Sequence, residues 1–164
     1  MKDIFFPDYI LVYPDIRKGE TEPSGGYVEV HITHHSHESA RNTETAVFLA
    51  KRGYKVRLLP IDNTPGVKNP DAYLLDEQLI IEFKHNYTPT ASAIEEAIRK
   101  GRKQADNLVI HILSDIPSKE LIAGIRNRMY YAQNVQKIWL IRFDELVTIN
   151  RNDVFDGTIA LKIK

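Results

Sequence analysis

The hydrophobic and polar positions of this chain alternate between strand-like and helix-like patterns. Two segments rich in β-branched and aromatic residues, 9–13 and 27–33, flank a polar, glycine-rich stretch and predict a hairpin or two edge strands. In TETAVFLAKRG, residues 43–53, the apolar residues recur at helical spacing and Gly53 is a natural C-terminal stop. YKVRLLP, residues 54–60, then predicts a strand.

The second half of the chain continues this alternation. Ser92 and Glu95 have the spacing of a capping box at the start of a helix. The pattern predicts, in order, strands over 72–75 and 78–83, a helix over 94–107, a strand over 108–113, a helix from Pro117 and Ser118, and strands over 138–143, 146–150 and 158–164.

This order of elements defines the expected fold class. Helices alternating with strands across residues 43–143 predict an α/β or α+β fold, a mixed β-sheet flanked by helices. With 164 residues and 43% hydrophobic content, we expect a single domain with a substantial core. Its expected parts are N-terminal strands over 1–35, an α/β core over 40–143 and C-terminal strands over 144–164.

Charge and cysteine content limit the binding partners and the kinds of site that this chain can have. The 22 basic and 22 acidic residues cancel, so nucleic-acid binding would require a local basic patch. The absence of cysteine excludes disulfide scaffolds, thiolate zinc sites and cysteine nucleophiles. No apolar run approaches the roughly 18 residues of a membrane span, and the N-terminus lacks a secretory pattern. We therefore expect a soluble, cytoplasmic protein without a membrane partner.

Three charged residues surround the apolar segment NPDAYLLDEQLIIEFK, residues 69–84. If this segment folds as a hairpin, Asp71 and Glu82 meet at one edge of the sheet. Glu82 and Lys84 are two residues apart and share a strand face. Two carboxylates can bind Mg²⁺ or Mn²⁺, and a nearby lysine can orient a water or stabilise charge on a phosphate. The segment therefore predicts phosphodiester chemistry.

Pro70-Asp71 is followed, after a gap of ten residues, by Glu82-Phe83-Lys84. This spacing resembles that of the PD-(D/E)XK nuclease superfamily, and the resemblance covers roughly residues 40–115. The resemblance implies a restriction-endonuclease-like core, here with extra N-terminal strands, and metal-dependent hydrolysis of nucleic acid. It implies a divalent cation, Mg²⁺ or Mn²⁺, bound by Asp71 and Glu82. A glutamate on the preceding helix often completes such a site, and Glu44 matches it, with Glu38 as the alternative.

The same resemblance extends to the helix after the lysine. Many members of the superfamily carry a glutamine there, and Gln104 matches it. Lys100, Arg102 and Lys103 precede it and could hold phosphates, although such residues also form ordinary solvated helix faces. His85 follows Lys84 and could lie near a bound phosphate, although strand alternation turns it to the other face.

A second resemblance is to the C-terminal toxin nuclease domains of contact-dependent growth inhibition proteins and to related phage and mobile-element nucleases. The matching pieces are GYKVRLLP, PGVKNPDAYL, IEFKHNYTPTAS, AIRKGRKQADN and LVIHI. Such domains commonly cleave tRNA, some cleave DNA, and the toxins pair with an immunity protein. This chain starts at its own methionine without a delivery region, so we expect a free-standing or separately encoded protein.

Two other function classes stay open. The histidines of HITHHSH, namely His31, His34, His35 and His37, could supply acid and base groups to a metal-independent RNase that uses the 2′-hydroxyl as nucleophile. Their spacing matches no strong zinc motif. The other possibility is a non-catalytic binding module on a nuclease-like fold, since fold does not fix function.

Overall fold

The structure, a computed structural model, describes residues 8–34 and 36–164, without the side chains of residues 36–38. It divides into two compact units, residues 1–80 and 81–164. The expected single-domain organisation stays a prediction. The strands are β1 (Tyr9–Tyr13), β2 (Tyr27–His31), β3 (Lys55–Leu58), β4 (Ala72–Leu74), β5 (Leu79–Asn86), β6 (Asn107–Ile112), β7 (Lys137–Arg142) and β8 (Glu145–Asn150), and the helices are α1 (Ser36–Ala50), α2 (Ala91–Gly101), α3 (Ser118–Met129), α4 (Arg151–Phe155) and α5 (Thr158–Lys162).

The first unit contains a mixed sheet in the order β1, β2, β3, β4. β1 and β2 are antiparallel, as the sequence predicts, and β3 and β4 are antiparallel as well. β2 and β3 run parallel, with Val28 opposite Val56 and Val30 opposite Leu58. A parallel pair needs a crossover connection, and α1 supplies it.

Helix α1 packs closely on the turn that leads into β2. Ala46, Leu49 and Ala50 are fully buried on its inner face. Gly26 lies directly against the last turn of the helix, where an added Cβ would stand 1.8 Å from Ala50 O. Glycine is therefore required at residue 26 for the approach of α1 to the sheet.

The second unit is also a mixed sheet with helical crossovers. Strands β5, β6 and β7 are parallel, and β8 returns antiparallel to β7. Helices α2 and α3 connect the parallel strands, and α4 and α5 follow β8. The predicted α/β class, a mixed β-sheet flanked by helices, is confirmed in both units.

The core of the second unit lies between α2, α3 and one face of the sheet. Ile94 and Ile98 of α2 are fully buried there, as are Leu121 and Ile125 of α3. The strands contribute the alternate residues Leu108, Ile110 and Ile112 of β6 together with Ile138 and Leu140 of β7. This period of two places the helix-facing side of β5 as well, because Glu82, Lys84 and Asn86 lie opposite Leu108, Ile110 and Ile112.

The C-terminus corrects the sequence prediction. Residues 158–164, expected as a strand, contain helix α5. The alternating apolar residues suggested a strand, but Ile159 and Ile163 are buried whereas Leu161 is 75% exposed. Residues four apart share a helix face, so Ile159 and Ile163 pack inward together and Leu161 faces solvent.

Two other helices have different bounds from those expected. Helix α1 begins at Ser36 rather than near residue 43. Helix α2 begins at Ala91, where Thr90 accepts a hydrogen bond from Ala93 N, instead of using Ser92 as its cap. It ends at Gly101, before the predicted boundary. Across residues 8–34 and 36–164, no helix has the length and apolar character needed to cross a membrane.

Candidate functional site

Asp71 lies in a buried polar network of the first unit. Asp71 is 8% exposed and Asn42 is 2% exposed. Asn42 donates a hydrogen bond from Nδ2 to Asp71 Oδ1 at 3.3 Å. The backbone of Asp71 is held as well, because Leu59 N donates to its carbonyl at 2.9 Å. A buried carboxylate with fixed hydrogen bonds is oriented rather than free to rotate.

His34 extends this network to the end of β3. Its Nδ1 lies 2.7 Å from Leu59 O, and its Nε2 lies 3.1 Å from Asn42 Nδ2. A carbonyl oxygen can only accept, so Nδ1 carries the hydrogen, and Nε2 accepts from the Asn42 amide. Asn42 thus donates to both His34 and Asp71, which fixes its own orientation.

Glu44 lies on a different side of α1. Its side chain is 61% exposed and its carboxylate accepts from Arg41 Nη1 at 2.8 Å. Each helical residue turns about 100°, so Glu44 is rotated about 200° from Asn42. Asn42 therefore bonds to Asp71, whereas Glu44 is exposed and turned to another side of the helix. The side chain of Glu38, the alternative, lies outside the described residues.

Sequence reasoning missed Asn42 because its segment looked like a polar loop. The signal was present in the spacing of Asn42, Thr45, Ala46 and Leu49, which follows the i, i+3, i+4, i+7 pattern of a buried helix face. All four residues are buried. Two of them are polar, which made the pattern hard to recognise from hydrophobicity alone.

In the second unit, Glu82 and Lys84 form an ion pair on the helix-facing side of β5. Lys84 Nζ lies 3.4 Å from Glu82 Oε2, with side-chain exposures of 26% and 8%. The arrangement fulfils the expectation that residues two apart in a strand share a face. A carboxylate this well buried keeps its charge at lower cost when a lysine lies beside it.

Gly101, the last residue of α2, gives the Lys84 side chain its space. A Cβ at residue 101 would lie 3.5 Å from Lys84 Cε and 2.9 Å from Leu108 Cδ2. The end of α2 therefore lies against the stem of Lys84. This contact brings β5, which carries Glu82 and Lys84, next to the end of α2, where the predicted phosphate-binding residues lie.

The basic residues at this end of α2 have different environments. Lys100 is 60% exposed and pairs with Glu96 at 3.6 Å. Arg102 is partly buried and donates from Nε to Asn134 Oδ1 at 2.8 Å. Lys103 is exposed, and Gln104 lies in the turn after the helix, half-buried. Lys100 and Lys103 are thus the exposed cations of the set, and Arg102 is partly buried.

Hydrogen bonding also lowers one pKa on this helix. Arg99 donates from Nε to Glu96 Oε2 at 2.8 Å, and this bond, with the charges of Arg99 and Lys100, lowers the pKa of Glu96 to about 2. Glu96 is therefore ionised in the physiological range and offsets part of the positive charge of α2.

The histidines singled out in the sequence lie in different parts of the structure. His85 is half-buried, lies opposite His111 in the parallel register, and has its ring centroid 5.9 Å from that of His111. Strand alternation turns it away from the face of Lys84. His31 Nδ1 lies 2.8 Å from Thr33 Oγ1, and its ring meets Tyr9 edge-on. His35 and the side chain of His37 lie outside the described residues.

The donor chemistry of the two carboxylates suits a hard divalent cation. Mg²⁺ is commonly held by one or two carboxylates together with substrate phosphates. Asp71 in the first unit and Glu82 in the second are both buried carboxylates. Within the described part of the chain, no three His, Asp or Glu side chains cluster to form a ready-made metal site.

Comparison with known proteins adds information on the fold. No known protein family matches the chain, and no curated protein matches it. A chain of the CdiA-CT/CdiI toxin and immunity complex from Burkholderia pseudomallei has the same fold, with a TM-score of 0.52 and 23% sequence identity over 70% of this chain and 86% of that chain. The expected likeness to contact-dependent growth inhibition proteins is thus supported at the level of the fold, by a chain of a complex that contains both a toxin and an immunity protein. Membership of the PD-(D/E)XK superfamily stays a prediction.

Proposed function

We propose that this protein is a metal-dependent nuclease that hydrolyses phosphodiester bonds in tRNA or DNA, and that it acts as a toxin. The observation that supports the proposal most strongly is the Glu82–Lys84 pair, which places an acid and a lysine 3.4 Å apart on one strand face. The neighbouring structure comes from a toxin and immunity complex, which is consistent with this function.

In the proposed mechanism, Asp71 and Glu82 would hold Mg²⁺ or Mn²⁺, and the pairing of the two rests on their spacing in the sequence. The cation would supply charge stabilisation for the phosphate and lower the pKa of a bound water. Asn42 keeps the Asp71 carboxylate oriented through its hydrogen bond. Glu44 is left out of the site because it is exposed and paired with Arg41.

Lys84 has the role closest to the reaction. Its ammonium is positioned by Glu82 and can donate a hydrogen bond to the attacking water or to a phosphate oxygen. Lys103, Arg102 and Gln104 would hold the nucleic-acid backbone at the end of α2. Such binding depends on phosphate contacts and is weakened by salt.

A cleavage assay tests the proposal. Purified wild-type protein is incubated with total tRNA and with plasmid DNA, each in Mg²⁺, Mn²⁺ or EDTA. Lys84→Ala is compared with Lys55→Ala, since Lys55 is also a strand lysine with an acidic partner, Asp76, at 3.4 Å. We expect metal-dependent cleavage that Lys84→Ala abolishes and Lys55→Ala retains.

Other outcomes of the assay would support a different function. Cleavage that persists in EDTA contradicts the metal site and supports a histidine-based RNase. No cleavage by wild-type protein in any condition contradicts nuclease activity and supports a binding module. We further propose a protein inhibitor as partner, since the neighbouring fold occurs in a complex of toxin and immunity protein.

A further inference from the structure

Three exposed aromatic side chains lie together at the end of α3 and in α4. Tyr130, Tyr131 and Phe155, which we call the aromatic platform, are 66%, 63% and 50% exposed. They line two adjoining depressions of about 540 and 470 Å³ that share Tyr130 and Phe155. Large aromatic rings grouped at a surface mark a binding site more often than rings scattered singly.

The rings of the platform are not coplanar. Tyr130 and Tyr131 meet edge to face, with centroids 5.1 Å apart and planes at 83°. Arg128 lies over the Tyr131 ring at 5.7 Å, and Arg151 lies over the Phe155 ring at 5.4 Å. The platform therefore offers rings in different planes with guanidinium groups beside two of them.

Hydrogen bonds from Arg151 hold the loop that carries the platform. Its guanidinium donates to Met129 O at 2.8 Å, to Ala132 O at 2.9 Å and to Val135 O at 3.0 Å. These carbonyls flank Tyr130 and Tyr131 on both sides. The tyrosine backbone is thus fixed, so that little conformational entropy is lost when a ligand stacks on the rings.

The remaining groups around the depressions favour an anion with flat rings. Two arginines, Arg126 and Arg151, face a single acid, Glu95, among the lining residues. Asn127 and Gln133 add side-chain amides that can pair with base edges. Aromatic rings for stacking, the exposed Arg126 for a phosphate and amides for base edges together match single-stranded nucleic acid.

The loop that carries the platform is also hydrogen-bonded to the basic end of α2. Arg102 Nε donates to Asn134 Oδ1 at 2.8 Å, and Asn134 Nδ2 donates back to Arg102 O at 2.9 Å. Asn134 belongs to the same loop as Tyr131 and Gln133. The loop of the platform is thus anchored to the segment that carries Arg102 and Lys103.

We propose that Tyr130, Tyr131 and Phe155 form a base-stacking platform that binds single-stranded nucleic acid. The inference deepens the proposed nuclease function, since it selects unpaired loops and ends of nucleic acid over uninterrupted duplex as the substrate class. Bases in a duplex are already stacked, so their faces are not accessible to tyrosine rings.

Fluorescence anisotropy in EDTA tests the platform without cleavage. Wild-type protein is titrated into short labelled single-stranded RNA, the matching DNA, and a duplex of the same sequence. We expect single strands to bind more tightly than duplex. Tyr130→Ala and Tyr131→Ala should each weaken single-strand binding at least about fivefold, the effect of losing one stacked base.

Two control variants separate stacking from other effects. Tyr130→Phe keeps the ring and should bind as wild type does. Phe143→Ala removes an aromatic ring that is 73% exposed, with Arg142 over it at 4.5 Å, away from the platform, and should leave binding unchanged. Binding by Tyr130→Ala and Tyr131→Ala equal to wild type would overturn the platform, as would a preference for duplex.

The platform and the nuclease proposal fail in different ways. Cleavage by wild-type protein, together with single-strand binding that the tyrosine variants do not change, overturns the platform and leaves the nuclease intact. Tyrosine-dependent binding without cleavage in any metal supports the platform and overturns the nuclease.

Discussion

Asn42 donates a hydrogen bond to Asp71 from the buried face of α1, at 3.3 Å. Glu44, two residues further along the same helix, is 61% exposed and bonded to Arg41. The family pattern expected a glutamate at this helix to complete the site. Beside Asp71 the structure places the neutral amide of Asn42, which orients the carboxylate and adds no charge, while the side chain of Glu38 lies outside the described residues.

Substitution at these two helix positions should have very different effects. Asn42→Ala removes the donor that joins His34 and Asp71, and we expect a loss of about 1–3 kcal/mol in the free energy of unfolding. Glu44→Ala removes an exposed ion pair, and we expect a change within about 0.5 kcal/mol with cleavage retained. Urea unfolding and tRNA cleavage measure both. A loss of cleavage in well-folded Glu44→Ala would restore Glu44 to the site.

The close approach of Gly101 to Leu108 predicts a packing effect at the end of α2. A β-branched side chain at residue 101 must displace Leu108 Cδ2, 2.9 Å from the site of an added Cβ. We expect Gly101→Val to lower the free energy of unfolding by about 1–3 kcal/mol more than Ala97→Val, which controls for valine in the same helix. Equal losses for the two variants in urea unfolding would show that the end of α2 does not pack against Leu108 of β6 as described.

The pKa of Glu96 should depend on Arg99. In the folded protein the hydrogen bond from Arg99 lowers this pKa from 4.5 to about 2. A carboxyl with a lowered folded pKa stabilises the native state above pH 4.5, and that contribution is lost as the pH falls through about 2. NMR titration should show the lowered value in wild type and a return toward the ordinary value in Arg99→Gln. Arg102→Gln is the control, since Arg102 bonds to Asn134, and an equal rise there would contradict the assignment.

The helical C-terminus can be tested by charge substitution. Ile159 is fully buried and Leu161 is 75% exposed, although both belong to the same alternating apolar pattern. Ile159→Asp buries a carboxylate in the core and should cost about 3 kcal/mol or more, whereas Leu161→Asp should change stability by less than about 0.5 kcal/mol. Thermal or urea unfolding measures both. Equal destabilisation would indicate a strand in place of α5, in which residues 159 and 161 share the buried face.

The sequence predicted those features that depend on short, regular spacing. The shared face of Glu82 and Lys84 follows from the period of a strand, and the crossover helices α2 and α3 follow from apolar residues recurring between β-rich segments. The end of α5 was misread because Ile159, Leu161 and Ile163 fit a strand period and only tertiary packing selects the helix. Asn42 was missed because its role depends on a partner, Asp71, that is distant in the chain.

The aromatic platform was also outside the reach of sequence patterns. Tyr130 and Tyr131 follow directly on α3, so local spacing describes them as a helix end. Phe155 joins them only through the return of the chain in α4, 24 residues later. A surface assembled from separate segments carries no periodic signal.

The proposed nuclease activity depends on Asp71, Glu82 and Lys84 together with a divalent cation. The most direct measurement is the rate of tRNA and plasmid cleavage by wild-type, Asp71→Asn and Glu82→Gln proteins in EDTA and after Mg²⁺ is added back. We expect no cleavage in EDTA, recovery of wild-type activity with Mg²⁺, and a loss of at least about 100-fold in each folded variant. Cleavage by both variants at the wild-type rate, or no dependence on Mg²⁺, would contradict it.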